Sequence, residues 1–560
     1  MVKNSTKGKV KKESFMQGVL VLMFSQVLIK LLGFVYKVYL SNKDGFGDAG
    51  NAIYGAGYQI YALLLSISSI GVPNAVAKLI SERMSLGDVK GAHRIFKIAF
   101  ATFGVIGLIG TAILLLGAKT IANASGMPAA EMTLVALSPS IFFVSVMSVI
   151  RGFFNGRAKI KVTAHSQTLE QVFKTVFTIV VVELIYAAVG GNTTLMAAGA
   201  NLATTMAVVG SFIYLLAYYK IHRKDKVDLS EGNTNVETDN KKAIKFERDI
   251  SNKTIWQIVK AILLVSIPIS ISSILVSVNK NIDTFTVVRF MEGIVGNDAA
   301  VKQYGILNKI ETLTSLPLSF NVAFATALVP AITAARTKGT MEQGVKRISF
   351  SLLTTIIIVL PCVVGMVIFA DPILHLIIPN APDGAWVFQV CVIATIFTAM
   401  EQTINGALQG LGKVFVPAIA LTIGVLLKCI FNVILIPNTH LLGGAAGAAF
   451  STDICHITAF LIVFIVLRRT VDLKLSFSKM VIKPLTATLL MGVVSYGAYM
   501  LLNGIIPAKM ATIIALLIAG IVYILSILIL KVFNKEDIFM LPAGNKIYSI
   551  LQKMGIYKEI

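Results

Sequence analysis

The feature that most constrains this chain is a series of apolar runs, each long enough to cross a lipid bilayer as a helix. Such runs recur from end to end of the 560-residue sequence, and a bilayer core about 30 Å thick needs about 20 apolar residues per helix. The runs are continuous rather than alternating, which excludes a closed β-barrel. The sequence therefore predicts an all-α polytopic membrane protein with about 14 transmembrane helices.

Hydropathy places the fourteen spans to within a few residues. They cover about 15–40, 55–82, 93–118, 131–153, 162–189, 194–219, 255–280, 303–330, 347–370, 385–409, 414–436, 442–467, 480–503 and 509–533.

The distribution of the basic residues predicts the orientation of the chain. A net charge of +22 could indicate a nucleic-acid partner. However, the loops after odd-numbered spans hold five of the 50 lysines and arginines, and most of the rest lie in the termini and the loops after even-numbered spans. By the positive-inside rule this asymmetry predicts a plasma-membrane protein with both termini in the cytoplasm and no nucleic-acid partner. The excess of lysine over arginine indicates a Gram-positive bacterial source.

A long charged loop divides the chain. Residues 220–253 hold 9 Lys and Arg against 7 Asp and Glu, a composition typical of a linker without a core. The predicted domains are an N-terminal lobe of six helices (1–220), a cytoplasmic linker (221–253), a C-terminal lobe of six helices (254–470), and two further helices with a tail (471–560).

The two lobes resemble each other in sequence. "NGRAKIKVTA" (155–164) aligns with "QGLGKVFVPA" (409–418), which matches Gly152 with Gly406 and Gly156 with Gly410. "GVPNAVAK" (71–78) also resembles "LVPAITAA" (328–335). Six helices per repeat keep both copies in one orientation, so the lobes form a parallel pseudo-repeat. Two such bundles predict a central cleft and transport by alternating access.

Lysines inside the spans indicate an anion site. A lysine at mid-bilayer costs about 2.5 kcal/mol or more, so each is a functional hypothesis. Lys30 and Lys37 lie seven residues apart on one helical face, and Lys174 and Lys428 lie near the middle of their spans. Lys78 and Lys37 are nearer to span ends, where snorkelling is the alternative. Local pairing, as between Lys174 and Glu170 at i,i+4, is a second alternative.

Acidic residues and prolines in the spans suggest coupling and bending. Glu183, Glu311, Glu401 and Asp453 could bind a proton or Na⁺, although such a residue is more often a satisfied buried polar group. Lys280 and Asp283 could pair at i,i+3. Prolines permit bending of membrane helices. The predicted hinges are Pro73, Pro268 and Pro317.

The sequence lacks the common motifs of nucleotide hydrolysis and of metal sites. It holds no GxxxxGK[ST] and no HExxH. We therefore predict no catalytic residues, no metal and no cofactor, and a transport step driven by H⁺, Na⁺ or the membrane potential. An integral-membrane transferase is the enzymatic alternative.

Four motifs resemble a known family. "KLLGFVYK" (30–37), "GVPNAVAKLISE" (71–82), "RGFFNGRAK" (151–159) and "LQGLGK" (408–413) resemble the polysaccharide-flippase branch of the multidrug/oligosaccharidyl-lipid/polysaccharide (MOP) exporter superfamily. The likeness is to the stage V sporulation protein B–YtgP-like group, which is related to the MurJ lipid II flippases. It covers nearly the whole chain.

The resemblance implies a V-shaped pair of six-helix lobes around a cationic cavity that receives a pyrophosphate. On that pattern Lys30, Lys37 and Lys78 match basic positions, while Glu82 and Asp283 match acidic ones. Lysine replaces the arginine of the better-known branch, and lysine cannot grip a phosphate in a bidentate fork. The predicted cavity residues are Lys30, Lys37, Lys78, Lys174 and Lys428. The predicted gating or coupling residues are Glu82, Asp283, Glu311 and Glu401.

These features together predict a flippase for an undecaprenyl-pyrophosphate-linked cell-wall precursor, foremost lipid II. Its partners would be the lipid-linked oligosaccharide, membrane lipids and cell-wall synthesis enzymes. The alternatives are a flippase for a teichoic, capsular or exopolysaccharide unit, a cation-coupled drug antiporter, and a membrane scaffold. Unpaired lysines in the first lobe disfavour the last two.

Overall fold

A computed structural model describes residues 15–69, 71–157, 159–222, 254–337, 339–473, 475–540 and 544–553. The predicted all-α fold is confirmed, since every regular element in these ranges is helical. All but the first two residues of the predicted linker (221–253) lie outside the described residues.

The helices fall into three sets in chain order. The first lobe contains α1 (Phe15–Asn42), α2 (Gly47–Ser69), α3 (Val72–Ser85), α4 (Val89–Ala124), a 3₁₀ turn (Pro128–Ala130), α5 (Glu131–Gly156), α6 (Ile160–Val189) and α7 (Thr193–His222). The second lobe contains α8 (Ile255–Val295), α9 (Asn297–Thr337), α10 (Met341–Ile368), α11 (Ala370–Ile377), α12 (Ala385–Cys391), α13 (Ile393–Gly410), α14 (Val416–Leu435) and α15 (Gly444–Thr470). A π-helical turn (Ser478–Ile482), α16 (Lys483–Asn503), α17 (Ala508–Ile529), α18 (Lys535–Met540) and α19 (Gly544–Lys553) follow.

The number of membrane spans is close to the prediction. Twelve stretches of the described residues are long and apolar enough to cross a membrane. The two 41-residue helices α8 and α9 are not among them, so the predicted count of fourteen is approximate. Large apolar side chains face outward on α16 and α17, where Val493, Leu501 and Ile529 are more than 70% exposed. Such faces are typical of lipid contact, and the chain is a multi-pass membrane protein.

The second predicted span is divided into two helices. α2 ends at Ser69 and α3 begins at Val72. α8 crosses at this break, where the Gly71 amide donates to Ser270 Oγ (3.1 Å) and a Cβ on Gly71 would lie 2.4 Å from the Ser266 carbonyl oxygen. Pro73, which lacks an N–H, occupies the first turn of α3. By contrast, α8 and α9 continue through positions 268 and 317.

Glycine contacts reveal the internal repeat. In the first lobe a Cβ on Gly152 would lie 2.9 Å from the Pro73 carbonyl oxygen, and in the second a Cβ on Gly406 would lie 2.4 Å from that of Ala325. Both glycines thus let one helix approach the backbone of another. The predicted alignment of 71–78 with 328–335 pairs Pro73 with Pro330. The glycine contacts instead pair Pro73 with Ala325, so the predicted alignment was wrong by five residues. Short Gly- and Ala-rich segments do not fix their own register.

Gly406→Ala should lower the thermal unfolding midpoint of the purified protein. The added methyl group would clash with the Ala325 carbonyl oxygen, which as a backbone atom cannot move aside as a side chain can. Overpacking of this kind lowers the free energy of unfolding by about 1–3 kcal/mol. Gly365→Ala on α10 is the matched control, because no atom lies within 4 Å of a Cβ there. Equal midpoints for the two variants would contradict the close approach of α13 to α9.

The apolar cores show how the lobes meet. We call the side that carries the 85–89, 156–160 and 410–416 turns the basic end, and the side that carries the 42–47, 189–193 and 435–444 turns the opposite end. One core cluster near the opposite end joins residues of both lobes, including Tyr54, Leu134, Tyr304 and Phe369. Near the basic end the cores are separate, one in the second lobe and one in the first lobe with the start of α8. The lobes are therefore closed together at the opposite end.

Candidate functional site

A polar cavity of about 290 Å³ lies between the two lobes. α1, α2 and α6 of the first lobe and α8 and α9 of the second form its walls. Its polar lining side chains are Lys30, Tyr36, Lys37, Tyr54, Tyr58, Gln59, Gln171, Lys174, Lys280, Asn308, Glu311, Thr312 and Ser315. The cleft between two bundles is thus lined mainly by cations, amides and hydroxyls.

α1 contributes two lysines to the cavity from one helical face. The Lys37 ammonium donates to Asn308 Oδ1 across the lobe boundary (2.9 Å) and lies 4.3 Å from the Tyr54 ring centroid. Lys30, two turns earlier, is exposed to the cavity and makes no ion pair or hydrogen bond with any residue that the structure describes. An unpaired ammonium inside a membrane protein is positioned to receive an anion.

Lys174 enters the cavity from α6 and is held by aromatic rings. Its side chain is buried, with 6% of the residue exposed, and its ammonium lies 4.2 Å from the Tyr58 ring centroid and 5.2 Å from that of Tyr36. Cation–π contacts of this kind stabilise a desolvated ammonium without cancelling its charge. Sequence reasoning missed these tyrosines, although the i,i+4 spacing of Tyr54 and Tyr58 places them on one face of α2.

The second lobe adds one lysine and one carboxylate. Lys280 on α8 lies 3.7 Å from Glu311 on α9. The predicted local pairing of Lys280 with Asp283 is not found, because Asp283 instead binds Lys428. The predicted pairing of Glu170 with Lys174 is also absent from the described residues, since Glu170 binds Arg151 at 2.7 Å.

The cavity carries a positive excess. Four lysines and one glutamate line it, which leaves three formal positive charges when all are ionised. A concave site with low-dielectric walls concentrates such a field and attracts anions, and lysine is a common phosphate ligand as a point charge. The volume is at the lower limit for ligand pockets. It therefore has room for a compact anion of the size of a phosphate or pyrophosphate group.

Lys78 and Glu82 lie away from this cavity. Both are exposed on α3 near the basic end, and no ion pair joins them among the residues described. The break between α2 and α3 separates this pair from the cavity wall that α2 provides. A ligand entering from the basic end would meet them before it reached Lys30.

Lys428 and Glu401 belong to a buried network in the second lobe. The Lys428 ammonium, in a residue only 1% exposed, donates to Asp283 Oδ2 (2.6 Å) and to the Asn279 carbonyl oxygen (2.8 Å). Glu401 lies 3.0 Å from His456 Nδ1. The repeat counterparts Lys174 and Lys428 therefore differ, because Lys428 has a counter-ion and does not line the cavity.

A buried ion pair closes the opposite end. Lys309 on α9 donates to Asp48 Oδ1 on α2 (2.5 Å) and to the Ala381 carbonyl oxygen (2.6 Å), and the two charged side chains are 1% and 5% exposed. Beside it, Asn42 of the first lobe donates to the Ile377 carbonyl oxygen (2.8 Å). These bonds link the two lobes between the cavity and the opposite end.

Comparisons with known proteins agree with this architecture. The chain is 27% identical to the lipid II flippase MurJ of Bacillus subtilis (strain 168), over 81% of this chain and 82% of that protein. It is 25% identical to the stage V sporulation protein B of the same organism, over 95% of this chain and 98% of that protein. Its fold matches a solved structure of lipid II flippase MurJ in an inward closed conformation with a TM-score of 0.66 and 16% identity, covering 90% of this chain and 98% of that one.

Family models give the assignment. The model for polysaccharide biosynthesis proteins matches residues 15–336, which is more than half of the chain, and the MatE model matches residues 268–434. The first match contains every helix that lines the cavity. The chain therefore belongs to the polysaccharide biosynthesis protein family, within the MOP exporter superfamily.

Proposed function

We propose that this protein is a flippase that moves an undecaprenyl-pyrophosphate-linked cell-wall precursor, lipid II, from the cytoplasmic to the outer leaflet. Its family and its relatives support the general assignment as a multi-pass flippase for a lipid-linked precursor rather than an enzyme. The single observation that carries the proposal is the cavity with four lysines and one carboxylate between two lobes. A pyrophosphate is the anionic group of such a lipid.

The orientation follows from the charges. The basic end faces the cytoplasm under the positive-inside rule, so closure at the opposite end leaves the cavity approachable from the leaflet where the precursor is made. The precursor would meet Lys78 and Glu82 as it enters. On its arrival in the cavity, the anionic group would replace Glu311 as the partner of Lys280. Transport then requires the lobes to close at the basic end and open at the opposite end.

Movement of a labelled lipid between leaflets tests the function. The full-length protein would be reconstituted in vesicles with fluorescent undecaprenyl-pyrophosphate disaccharide-pentapeptide, and a membrane-impermeant quencher would report the leaflet that holds the label. We expect transfer at least tenfold faster than in protein-free vesicles. If the protein moved a lipid-linked teichoic or capsular unit but not the disaccharide-pentapeptide, that unit and not lipid II would be its substrate. Export of a cationic drug alone would contradict the proposal.

A further inference from the structure

The second lobe contains a buried polar network that the cavity does not use. It runs from Asp283 through Lys428 to the Asn279 carbonyl, then from the Asn279 side-chain nitrogen to His456 Nε2 (3.5 Å), and from His456 Nδ1 to Glu401 (3.0 Å). Four helices contribute: α8, α13, α14 and α15. These five residues lie inside the lobe, and none of them lines the cavity.

The charges of this network do not balance while His456 is neutral. Asp283 and Glu401 supply two carboxylates and Lys428 supplies one ammonium, which leaves one negative charge that a protonated His456 would balance. Asp453, one turn before His456, is 2% exposed, and its oxygens complete no hydrogen bond although the Ala394 amide approaches. An isolated buried carboxylate is so costly that such sites take up protons or cations instead. The described residues contain no group of three or more His, Cys, Asp or Glu arranged to hold a metal. A proton on Asp453 removes this cost, and the other two carboxylates then face Lys428 and His456.

The Asn279 side chain can respond to protonation of His456. In the neutral tautomer that donates from Nδ1 to Glu401, the bare Nε2 accepts from the Asn279 amide nitrogen. The Asn279 Oδ1 is buried without a hydrogen-bond partner among the described residues. A proton added at Nε2 would face that amide nitrogen donor to donor. Rotation of the Asn279 side-chain amide by about 180° would bring its Oδ1 to accept from Nε2–H, so that the oxygen and the imidazole N–H both gain a hydrogen bond.

One turn of α8 connects this network with the cavity and with the first lobe. Asn279 contacts His456, and the next residue, Lys280, lines the cavity. Asn281 donates to the Gln59 carbonyl oxygen of α2 in the first lobe (2.9 Å), and Asp283 binds Lys428. A shift of this turn would therefore alter the cavity charge and the contact between the lobes together.

The helices packed against α15 carry further titratable groups. They are Cys391 on α12, Glu401 on α13, Lys428 and Cys429 on α14, Lys280 and Asp283 on α8, Glu311 on α9, and Asp453 and Cys455 on α15 itself. Of these, Glu401 contacts the imidazole directly, with a carboxylate oxygen 3.0 Å from Nδ1.

We propose that His456, paired with Glu401, is a proton-binding site that couples a proton gradient to movement of the lobes through Asn279 and α8. The inference deepens the proposed function, on which it rests, by naming the driving ion and the residue that binds it. The bound proton forms an N–H bond with the lone pair of Nε2, and it comes from water and returns to water when it is released.

A substrate-free distance measurement tests this coupling. Spin labels at Ser85→Cys on α3 and Thr337→Cys on α9, both exposed at the basic end, would report lobe separation in a Cys429→Ser background, since Cys429 is the exposed cysteine. We expect the distance distribution of the reconstituted protein to change between pH 8 and pH 5, the range in which histidine changes charge. His456→Gln should abolish the change. His440→Gln, at an exposed histidine in the 435–444 turn, should leave it intact.

The outcomes separate this proposal from the flippase proposal. An unresponsive wild type, or a His456→Gln variant that responds as the wild type does, would overturn it whatever lipid is moved. Should His456→Gln fail to fold, Glu401→Gln keeps the shape of the pair and removes the charge that favours the imidazolium. It should require about tenfold more acid for the same response, and an unchanged requirement would overturn the site. A pH response that depends on His456, without any lipid transfer, would reject the flippase and retain the site.

Discussion

Lys30→Ala should reduce transfer of the labelled lipid by about ten- to a hundredfold without loss of folded protein. Lys30 lines the cavity and makes no bond to any described residue, so its removal leaves no protein group unpaired. A hydrogen bond to a charged group contributes about 1.5–3 kcal/mol, and each 1.4 kcal/mol corresponds to a factor of ten. Lys30→Arg, which retains the charge and adds a bidentate fork, should retain transfer.

Lys119→Ala is the matched control for Lys30→Ala. Lys119 is exposed on α4, far along the chain from the cavity residues and outside the cavity lining, so transfer should be unchanged. Transfer at the wild-type rate by Lys30→Ala would reject the cavity as the pyrophosphate site. A loss in both variants would point to a general effect of surface charge on lipid access.

Lys428→Ala should behave differently from Lys30→Ala, although both residues were predicted to share one cavity. Removal of Lys428 leaves Asp283 as a buried charge without its partner, which costs about 3–5 kcal/mol in comparable pairs. We expect a fall in the yield and the unfolding midpoint of the protein along with any loss of transfer. Normal stability would contradict the placement of Lys428 in a structural ion pair.

The difference between these two lysines shows what the sequence could and could not predict. Apolar runs and charge asymmetry are local signals, so they predicted the helices, the two lobes and the lysines on the face of α1. The partner of Lys428 is Asp283, 145 residues earlier, and no helical spacing reveals such a pair. Lys280 likewise had a plausible local partner, which concealed its place on the cavity wall. Sequence spacing therefore identified intramembrane charges without showing which of them the fold neutralises.

The aromatic residues illustrate the same limit from the opposite side. Tyr36 and Tyr58 read as ordinary apolar surface on membrane helices, and their role depends on Lys174, which reaches them from α6. The break between α2 and α3 lies beside the predicted hinge Pro73, but the sequence did not show that α8 contacts Gly71 there. Contacts between distant segments decide both cases.

Asp48→Asn should open the opposite end of the cavity and thereby shift the protein away from the closed arrangement. The substitution removes the counter-charge of the Lys309 ammonium, which stays buried with neutral amide and carbonyl oxygens as its acceptors. Loss of one member of a buried pair costs about 3–5 kcal/mol, and this cost falls only on the state in which the pair is buried. When the lobes separate at this end the ammonium regains water, so the equilibrium should move toward the open state by about a hundredfold or more.

A cysteine at Thr312 would report this opening. Thr312 lines both the cavity and the small recess beside Lys309, and its hydroxyl bonds only within its own helix. In a Cys429→Ser background, a membrane-impermeant maleimide added at the opposite end should label Thr312→Cys at least tenfold faster when Asp48→Asn is present. Asp383→Asn is the matched control, because the Lys302–Asp383 pair at the same end is more than half exposed and such pairs contribute little. Equal labelling in the Asp48→Asn and Asp383→Asn proteins would show that the buried pair does not hold this end closed. Slow labelling in an Asp48→Leu, Lys309→Met double variant would show that apolar packing can replace the buried pair.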